Sequence, residues 1–209
     1  MKKETVVLVH GLWMKGLELQ PLAWSLRSAG YAVRFFRYPT RRPLNASALR
    51  LGRMLRGLEQ DTVHLIAHSL GGLLLCHLAE QGGLPENGRV LMLGTPLAGS
   101  HAARAYARWK AGRRMLGPHT LDALLGERPA WPRGRELGVI AGTRAVGLGM
   151  LVARGLPQPN DGTVAVAETR TPEVTRHLVL PHSHFGMLWA RDVHAQVLHY
   201  LRTGEFKSA

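Results

Sequence analysis

The sequence has very little cysteine: Cys76 is the single example among 209 residues. A disulfide framework within one chain is therefore excluded, and neither the cellular compartment nor a metal site can be inferred from cysteine. The stretch HSH supplies two imidazoles, those of His182 and His184, but no thiolate or carboxylate cluster accompanies them. We therefore expect no metal site.

Long apolar runs are also missing. No stretch reaches the roughly 18 apolar residues that a membrane-spanning helix needs. The N-terminal stretch MKKETVVLVHGLW begins basic and turns apolar, but His10 and Gly11 interrupt it and no small-residue cleavage pattern follows. Because this stretch is a poor signal peptide, we expect a cytoplasmic protein.

Acidic residues are scarce and unevenly placed. Asp and Glu number 14 against 27 Lys and Arg, which gives a formal net charge of +13. No acid lies between Glu18 and Glu59, a segment that holds Arg27, Arg34, Arg37, Arg41, Arg42, Arg50, Arg53 and Arg56. Such a field attracts anionic lipid headgroups, polyanions or acidic substrates, although a solvated arginine-rich surface is the simpler explanation. Without aromatic-interleaved basic motifs or metal fingers, no nucleic-acid partner is expected.

The remaining composition, 45% apolar and 20% charged, is typical of one globular domain spanning residues 1–209. Short apolar runs predict strands at 5–9, 31–36, 62–67, 89–94, 137–142, 163–167 and 177–181. Helical spacing lies between several of them, as in Leu51, Met54, Leu55 and Leu58. In the last segment, Trp189, Val193, Val197 and Leu201 repeat every four residues. This alternation predicts an α/β fold with a mostly parallel central sheet and helices on both faces. The stretch 97–135 lacks a strand signal and predicts a small cap or rim.

The segment HLIAHSLGG, residues 64–72, carries the clearest chemical signal. A buried-strand pattern runs directly into Ser69, and a helical pattern, LLLCHLAEQ, follows. This is the pattern of a nucleophile elbow, a strained strand-to-helix turn that exposes the serine hydroxyl beside a helix N-terminus. Ala67 stands where GxSxG has its first glycine, and it is still small. A plain N-cap at Ser69 would explain neither the strand nor the glycine pair.

With VLVHG near the N-terminus and this elbow, the chain resembles the α/β-hydrolase family, and in particular its small bacterial lipases and esterases with a minimal cap. The similarity extends from VLVHG to the last helix. The resemblance implies that the HG turn places the backbone N–H of Leu12 in an oxyanion hole, with the N–H of Leu70 as the second donor. Trp13 would then lie beside the substrate.

Chain order selects the acid of a candidate triad, because the hydrolase order is serine, acid, histidine. Asp61 precedes the serine, Asp192 follows both candidate histidines, and Asp122 lies in the basic stretch predicted as a cap. Asp161, in PNDGTVAVAE, has the right order and lies in a loop beside a predicted strand. An ordinary Asp-Gly turn is the alternative interpretation.

The stretch PHSHFGML, residues 181–188, offers two candidates for the general base. The base must reach the serine with one ring nitrogen while the other donates to the carboxylate, and His182 and His184 both follow an apolar strand. In the resembling lipases the histidine precedes a hydrophobic residue, glycine and two more hydrophobics, and HFGML begins at His184. The resemblance therefore implies His184. We interpret His64, His68 and His77 as ordinary core or surface histidines.

These residues predict a serine hydrolase that cleaves small-molecule or lipid esters through an acyl-enzyme and needs no cofactor. A thioesterase and a noncatalytic hydrolase-fold binding protein are the alternatives. The apolar, glycine-rich segment 145–157 could line an acyl groove, touch a membrane or form a buried helix. Together with the arginine-rich segments it suggests peripheral contact with an anionic membrane. The oligomeric state is not indicated.

Overall fold

The computed structural model describes residues 4–59, 61–126, 128–146 and 155–208. Its strands are β1 (Thr5–Val9), β2 (Ala32–Phe36), β3 (Val63–His68), β4 (Val90–Leu93), β5 (Gly138–Gly142) and β6 (Arg176–Leu180). Its helices are α1 (Gln20–Ser28), α2 (Leu44–Arg56), α3 (Leu70–Glu80), α4 (His101–Ala107), α5 (Lys110–Leu116), α6 (Pro118–Leu125) and α7 (Arg191–Thr203). Short 3₁₀ turns cover Leu17–Leu19, Val166–Thr169 and Gly186–Leu188.

The strands form one parallel sheet in the order β2-β1-β3-β4-β5-β6. Strand β1 pairs with β3 in a register that runs from Thr5 opposite Val63 to Val9 opposite Ala67. The two strands therefore end level with each other. This register brings the loop after β1 beside the turn after β3, at the carboxyl edge where parallel α/β sheets bind ligands.

Helices cover both faces of the sheet, as predicted. Val7 and Val9 face one core, which they share with buried residues of α2 and α3. Val6 and Leu8 face the other core, against α1 and α7. A strand buried on both faces needs apolar residues at every position, which is why β1 reads as a continuous apolar run rather than an alternating one. The predicted α/β fold class is confirmed.

The strand predicted at 163–167 is wrong. Its residues form a loop that leads into the 3₁₀ turn Val166–Thr169, with Ala165 in an isolated bridge to Asn160. Side chains of the loop itself take up the backbone donors: Asp161 accepts from the amides of Thr163 and Val164, and Glu168 accepts from that of Ala165. A sheet ladder needs those amides, so the apolar run did not produce a strand here.

The last helix follows the predicted stripe except at its first member. Val193, Val197 and Leu201 are buried on α7, whereas Trp189 precedes the helix and is 65% exposed. The indole N–H of Trp189 donates to the carbonyl of Glu18, which ties this residue to the loop before α1. A spacing of four residues placed Trp189 on a helix that begins only at Arg191.

The stretch 97–135 contains α4, α5 and α6, which pack against one another after β4. We call these three helices the cap. Of the segment 145–157, residues 147–154 lie outside the described residues; Leu156, beyond them, is buried against Ala102 of α4. Among the helices that the structure describes, none is long and apolar enough to cross a membrane.

Candidate active site

Ser69 lies at the junction of β3 and α3 in a strained backbone conformation. Its φ is 53° and its ψ is −122°, a region that residues other than glycine rarely adopt. The turn is held on both sides: the Ser69 amide donates to the carbonyl of Leu93, and the hydroxyl of Thr95 donates to the carbonyl of Ser69. The Ser69 side chain caps no amide of α3, so its hydroxyl is left for another role.

Two glycines after Ser69 let the elbow pack tightly. A β-carbon at Gly71 would lie 2.7 Å from the carbonyl oxygen of His10, and one at Gly72 would lie 2.2 Å from Oγ1 of Thr95. Both distances are well inside van der Waals contact. The glycine pair of the sequence is therefore required by the loops after β1 and β4, and it does not reflect flexibility.

Ser69 lines a cleft at the carboxyl edge of the sheet, between the strand ends and the cap. Trp13 and His184 line the same cleft, and Trp13 is 45% exposed. The rest of the lining is mostly apolar and includes Leu12, Leu70, Pro96, Ala102, Ala103, Tyr106, Leu116, Leu124, Val164 and Phe185. Such a lining suits a substrate with apolar substituents next to the serine.

His184 is joined to Asp161 through both side chain and backbone. The Nδ1 atom of His184 lies 2.7 Å from Oδ2 of Asp161, and the His184 amide donates to the Asp161 carbonyl at 2.9 Å. Because an ionised carboxylate only accepts, Nδ1 carries the proton and Nε2 is left as the acceptor. The other carboxylate oxygen of Asp161 accepts from the amides of Thr163 and Val164, so this buried acid is fully hydrogen-bonded.

His182 has a different partner. Its Nε2 atom lies 2.7 Å from Oδ2 of Asp192, an exposed contact between the loop after β6 and the start of α7. The side-chain hydrogen bond from His182 lowers the pKa of Asp192. The two histidines that the sequence left as alternatives therefore lie in separate pairs, and His184 is the one that lines the cleft with Ser69.

The amides expected to form an oxyanion hole come from two loops that meet at the elbow. A β-carbon on Gly11 would lie 3.0 Å from Nδ1 of His68 and 3.2 Å from the β-carbon of Ser69. In the part of the chain that the structure describes, the backbone N–H groups of Leu12 and Leu70 have no acceptor. Both residues line the cleft, and the N–H of Leu70 belongs to the first residue of α3.

Tyr38 fixes the loop after β1, a role that the sequence did not indicate. Its hydroxyl donates to the carbonyl of His10, its amide donates to Nε2 of His10, and the two rings stack 4.5 Å apart. Since Nε2 accepts, Nδ1 carries the proton and lies 2.9 Å from the carbonyl of Gly11. These contacts hold the turn that presents Leu12.

His68 was also missed as a site residue. Expected to be an ordinary histidine, it is fully buried, and its Nε2 atom donates to the carbonyl of His184 at 3.1 Å. The two rings lie 4.6 Å apart, and Nδ1 of His68 has no partner among the described residues. Burial, and next the repulsion that a protonated His184 would exert, hold the pKa of His68 well below its ordinary value. A neutral imidazole therefore supports the backbone of His184.

Glu168 joins the Asp161 loop to the cap. Its carboxylate accepts from the amide of Ala165 and, through the other oxygen, from the amide of His101 at the start of α4. Burial raises the pKa of this carboxyl group, while the two amide donors oppose that effect. Sequence reasoning could not find this contact with α4, because the two residues lie 67 positions apart.

Replacing Glu168 by alanine should lower the free energy of unfolding by about 3 kcal/mol, since two backbone donors lose their acceptor at a cost of about 1–3 kcal/mol each. Urea unfolding followed by circular dichroism measures this. Glu80→Ala is the control, because Glu80 is exposed and its carboxylate lies 3.7 Å from the ring of His77. A similar loss in the two variants would show that Glu168 makes no special contribution.

Among the described residues, no group of three or more His, Cys, Asp or Glu side chains is placed to hold a metal ion. The single thiol, Cys76, is buried in α3, and burial raises its pKa to about 11. A thiol in this setting stays protonated and inert. Ser69, His184 and Asp161 are the candidate catalytic residues.

Comparison with solved structures finds the same fold in a lipase, a carboxyl esterase and a thioesterase. The mature Bacillus licheniformis lipase BlEst2 is 21% identical, with a TM-score of 0.77, and the match covers 96% of this chain and 91% of the lipase. The metagenomic carboxyl esterase MGS0156 is 17% identical, with a TM-score of 0.67 and coverage of 86% and 64%. RedJ, a thioesterase from the prodiginine pathway of Streptomyces coelicolor, is 15% identical, with a TM-score of 0.60 and coverage of 96% and 85%.

Sequence comparison reaches the level of the family. No curated protein matches the chain significantly. The sequence model described as "Alpha/beta hydrolase family" matches residues 6–204, nearly the full length of the chain. This match agrees with the parallel sheet, the helices on both of its faces and the turn at Ser69. The chain therefore belongs to the alpha/beta hydrolase family.

Proposed function

We propose that this chain is a serine hydrolase that cleaves carboxylic esters through an acyl-enzyme. One observation carries the proposal: Ser69 and His184 line the same cleft, and His184 donates through Nδ1 to the buried carboxylate of Asp161. That pairing leaves Nε2 unprotonated, which is the state a general base needs.

In the proposed reaction, the hydroxyl oxygen of Ser69 attacks the ester carbonyl carbon while Nε2 of His184 takes its proton. Asp161 keeps the ring in the required tautomer and stabilises the imidazolium that forms. The backbone N–H groups of Leu12 and Leu70 donate to the oxyanion, where one lost donor typically costs about 3–4 kcal/mol. Collapse expels the alcohol, which receives the proton from His184. Water then releases the acid by the same steps.

The lining of the cleft supports an ester with apolar substituents. Tyr106, Leu116 and Leu124 of the cap line the cleft together with Ser69 and the partly exposed Trp13. Burial of apolar atoms stabilises a bound acyl chain by about 0.8 kcal/mol per methylene group. Small-molecule or lipid esters with aliphatic acyl groups are the substrates that this cleft suits.

Acyl thioesters are a second candidate substrate class, because the same triad chemistry serves both bonds and a Streptomyces thioesterase shares the fold. Matched acyl chains separate the two: p-nitrophenyl esters and acyl-CoA thioesters of equal length are assayed side by side. We expect a higher kcat/KM for the esters, and the reverse order would make the chain a thioesterase.

A fluorophosphonate probe tests whether the chain is an enzyme at all. The probe phosphonylates serines that an adjacent base activates, so covalent labelling of Ser69 is expected, with the labelled peptide identified by mass spectrometry. A noncatalytic binding protein of the same fold would remain unlabelled, and labelling of another serine would contradict the assignment of the nucleophile.

Gly94 supplies a sharp test of the His184–Asp161 pair. It follows β4 with a φ of +58°, and a β-carbon there would lie 3.0 Å from Nδ1 of His184 and 3.2 Å from Oδ2 of Asp161. Alanine would push apart the two atoms that share the proton. We expect Gly94→Ala to lower kcat/KM for a short ester by at least about tenfold, because the pair must give by a few tenths of an ångström and a displacement of about 1 Å costs about a hundredfold.

The control for this variant is Gly82→Ala. Gly82 has nearly the same backbone, with a φ of +63°, but nothing lies within 4 Å of an added β-carbon. Both variants carry similar backbone strain, which should lower the stability of each, whereas activity should fall in Gly94→Ala alone. Equal losses of activity would assign the effect to backbone strain.

A further inference from the structure

The outer face of the cap combines cations with exposed apolar side chains. We call this surface the cap rim and define it as Arg108, Trp109, Lys110, Arg113, Arg114 and Met115, all of which are exposed. Trp109 is 52% exposed and Met115 is 43% exposed. The neighbouring residues Tyr106 and Leu116 line the cleft, so the rim lies next to the proposed substrate site.

Hydrogen bonds hold the rim together. The Arg113 amide donates to the carbonyl of Trp109 at 3.0 Å, which places these two residues one helical turn apart on α5. Nη2 of Arg41 donates to the carbonyl of Arg114 at 2.7 Å and brings the loop after β2 to the same edge. Arg42, the next residue of that loop, is also exposed. Arg41 and Arg42, from the segment between Glu18 and Glu59, therefore meet the cations of the cap here.

Both segments that supply cations to this surface lack acidic residues. The sequence has no Asp or Glu between Glu18 and Glu59, or between Glu86 and Asp122. Asp122 on α6 lines a separate groove with His119 and Arg128. The guanidinium and ammonium groups of the rim therefore have no carboxylate within their own segments, and the local field is strongly positive.

We propose that the cap rim docks on the surface of an anionic lipid bilayer. Cations near such a surface bind negatively charged headgroups, and tryptophan prefers the headgroup level, where its ring is buried and its N–H stays hydrated. Trp109 and Met115 place apolar surface among these cations, a combination that suits the headgroup level of a bilayer. The inference goes beyond the proposed function. If both hold, esters of the bilayer would enter the cleft from the edge next to the cap rim.

Flotation of the full-length chain with lipid vesicles tests this docking. Vesicles of phosphatidylcholine, with or without phosphatidylglycerol, are compared at about 0.05 M and about 0.5 M NaCl, because salt screens exposed charges. The Ser69→Ala background keeps the lipids intact. We expect binding to the anionic vesicles at low salt, a marked loss at high salt, and little binding to phosphatidylcholine alone.

The decisive variant is Arg113→Glu with Arg114→Glu, which should weaken binding to anionic vesicles at least about tenfold, since each cation near the surface contributes about 1 kcal/mol. Arg53→Glu with Arg56→Glu is the matched control: both residues are exposed on α2, and Arg56 lines a groove beside Val63 at the amino end of β3. Trp109→Ala should also weaken binding to anionic vesicles. Trp24 lies on α1 and is 69% exposed, and Trp24→Ala should leave that binding unchanged.

Three outcomes would overturn the proposal: no binding to anionic vesicles, equal binding to both vesicle types, or equal losses in the rim variant and its control. Tighter, rim-dependent binding to a duplex oligonucleotide than to the vesicles would make the rim a nucleic-acid site instead. Turnover of a soluble short ester by the rim variant, with Ser69 retained, should match the parent. That assay measures the proposed function separately, so either idea can fail alone.

Discussion

Replacing Ser69 by alanine is expected to abolish ester hydrolysis while leaving the fold intact. Loss of the nucleophile of such a triad lowers kcat by about a millionfold, because the proposed base and oxyanion donors then have no attacking oxygen to serve. The side chain of Ser69 caps no amide of α3, and alanine meets the same backbone strain as serine at a φ of 53°. Initial rates with a short p-nitrophenyl ester and a circular dichroism spectrum measure both parts.

The control for this variant is Ser100→Ala. Ser100 also lines the cleft, but its hydroxyl accepts from the amide of Ala103 and caps α4. Its loss should cost about 1 kcal/mol of stability and leave most of the activity. Undiminished turnover by Ser69→Ala would end the assignment of the nucleophile, and a severe loss in Ser100→Ala would direct attention to the second cleft hydroxyl.

The second large effect is expected at His184. His184→Ala removes both the base and the proton donor to the leaving group, so kcat should fall by about a hundred-thousandfold or more. His182→Ala removes an exposed contact with Asp192 and should change kcat by less than about tenfold. Steady-state rates for the two variants, each checked for folding by circular dichroism, give the comparison.

The two histidines lie two positions apart in one loop, so each variant controls for general disturbance of that loop by the other. The proposal requires the loss at position 184 to exceed the loss at position 182 by several orders of magnitude. A larger loss in His182→Ala would reverse the assignment of the base. Comparable losses would indicate that the loop conformation, rather than one imidazole, governs the rate.

Most of the fold could be predicted because burial on both sides leaves a continuous apolar run, and six of the seven predicted strands are strands. The seventh prediction, at 163–167, failed because Asp161 and Glu168 bind the amides that a strand would need. A short apolar run does not show that acidic side chains nearby will bind the backbone amides. Where loop side chains bind backbone amides, the apolar pattern of a sequence no longer predicts a strand.

The candidate site was predictable where its backbone imposes a residue type. Ser69 carries such a signature, because a strained turn between closely packed loops requires small neighbours. The histidine and the acid impose no comparable pattern on the neighbouring sequence, and the choice of His184 came from the resemblance to the lipases. His68 and Tyr38 support the site through contacts that span 116 and 28 positions, so only the folded chain brings those partners together. The roles of all these residues, and a cytoplasmic location, stay predictions.

The position of β6 bears on how long the site survives under stress. Among the described strands it pairs with β5 alone, and its five residues are half-buried, whereas β3 is buried throughout. Sheet edges open at a lower free energy than sheet centres. Because His184 follows β6 and Ser69 follows β3, fraying of the edge would separate the two while the core persists. The catalytic arrangement would then be lost at a lower free energy than the fold as a whole.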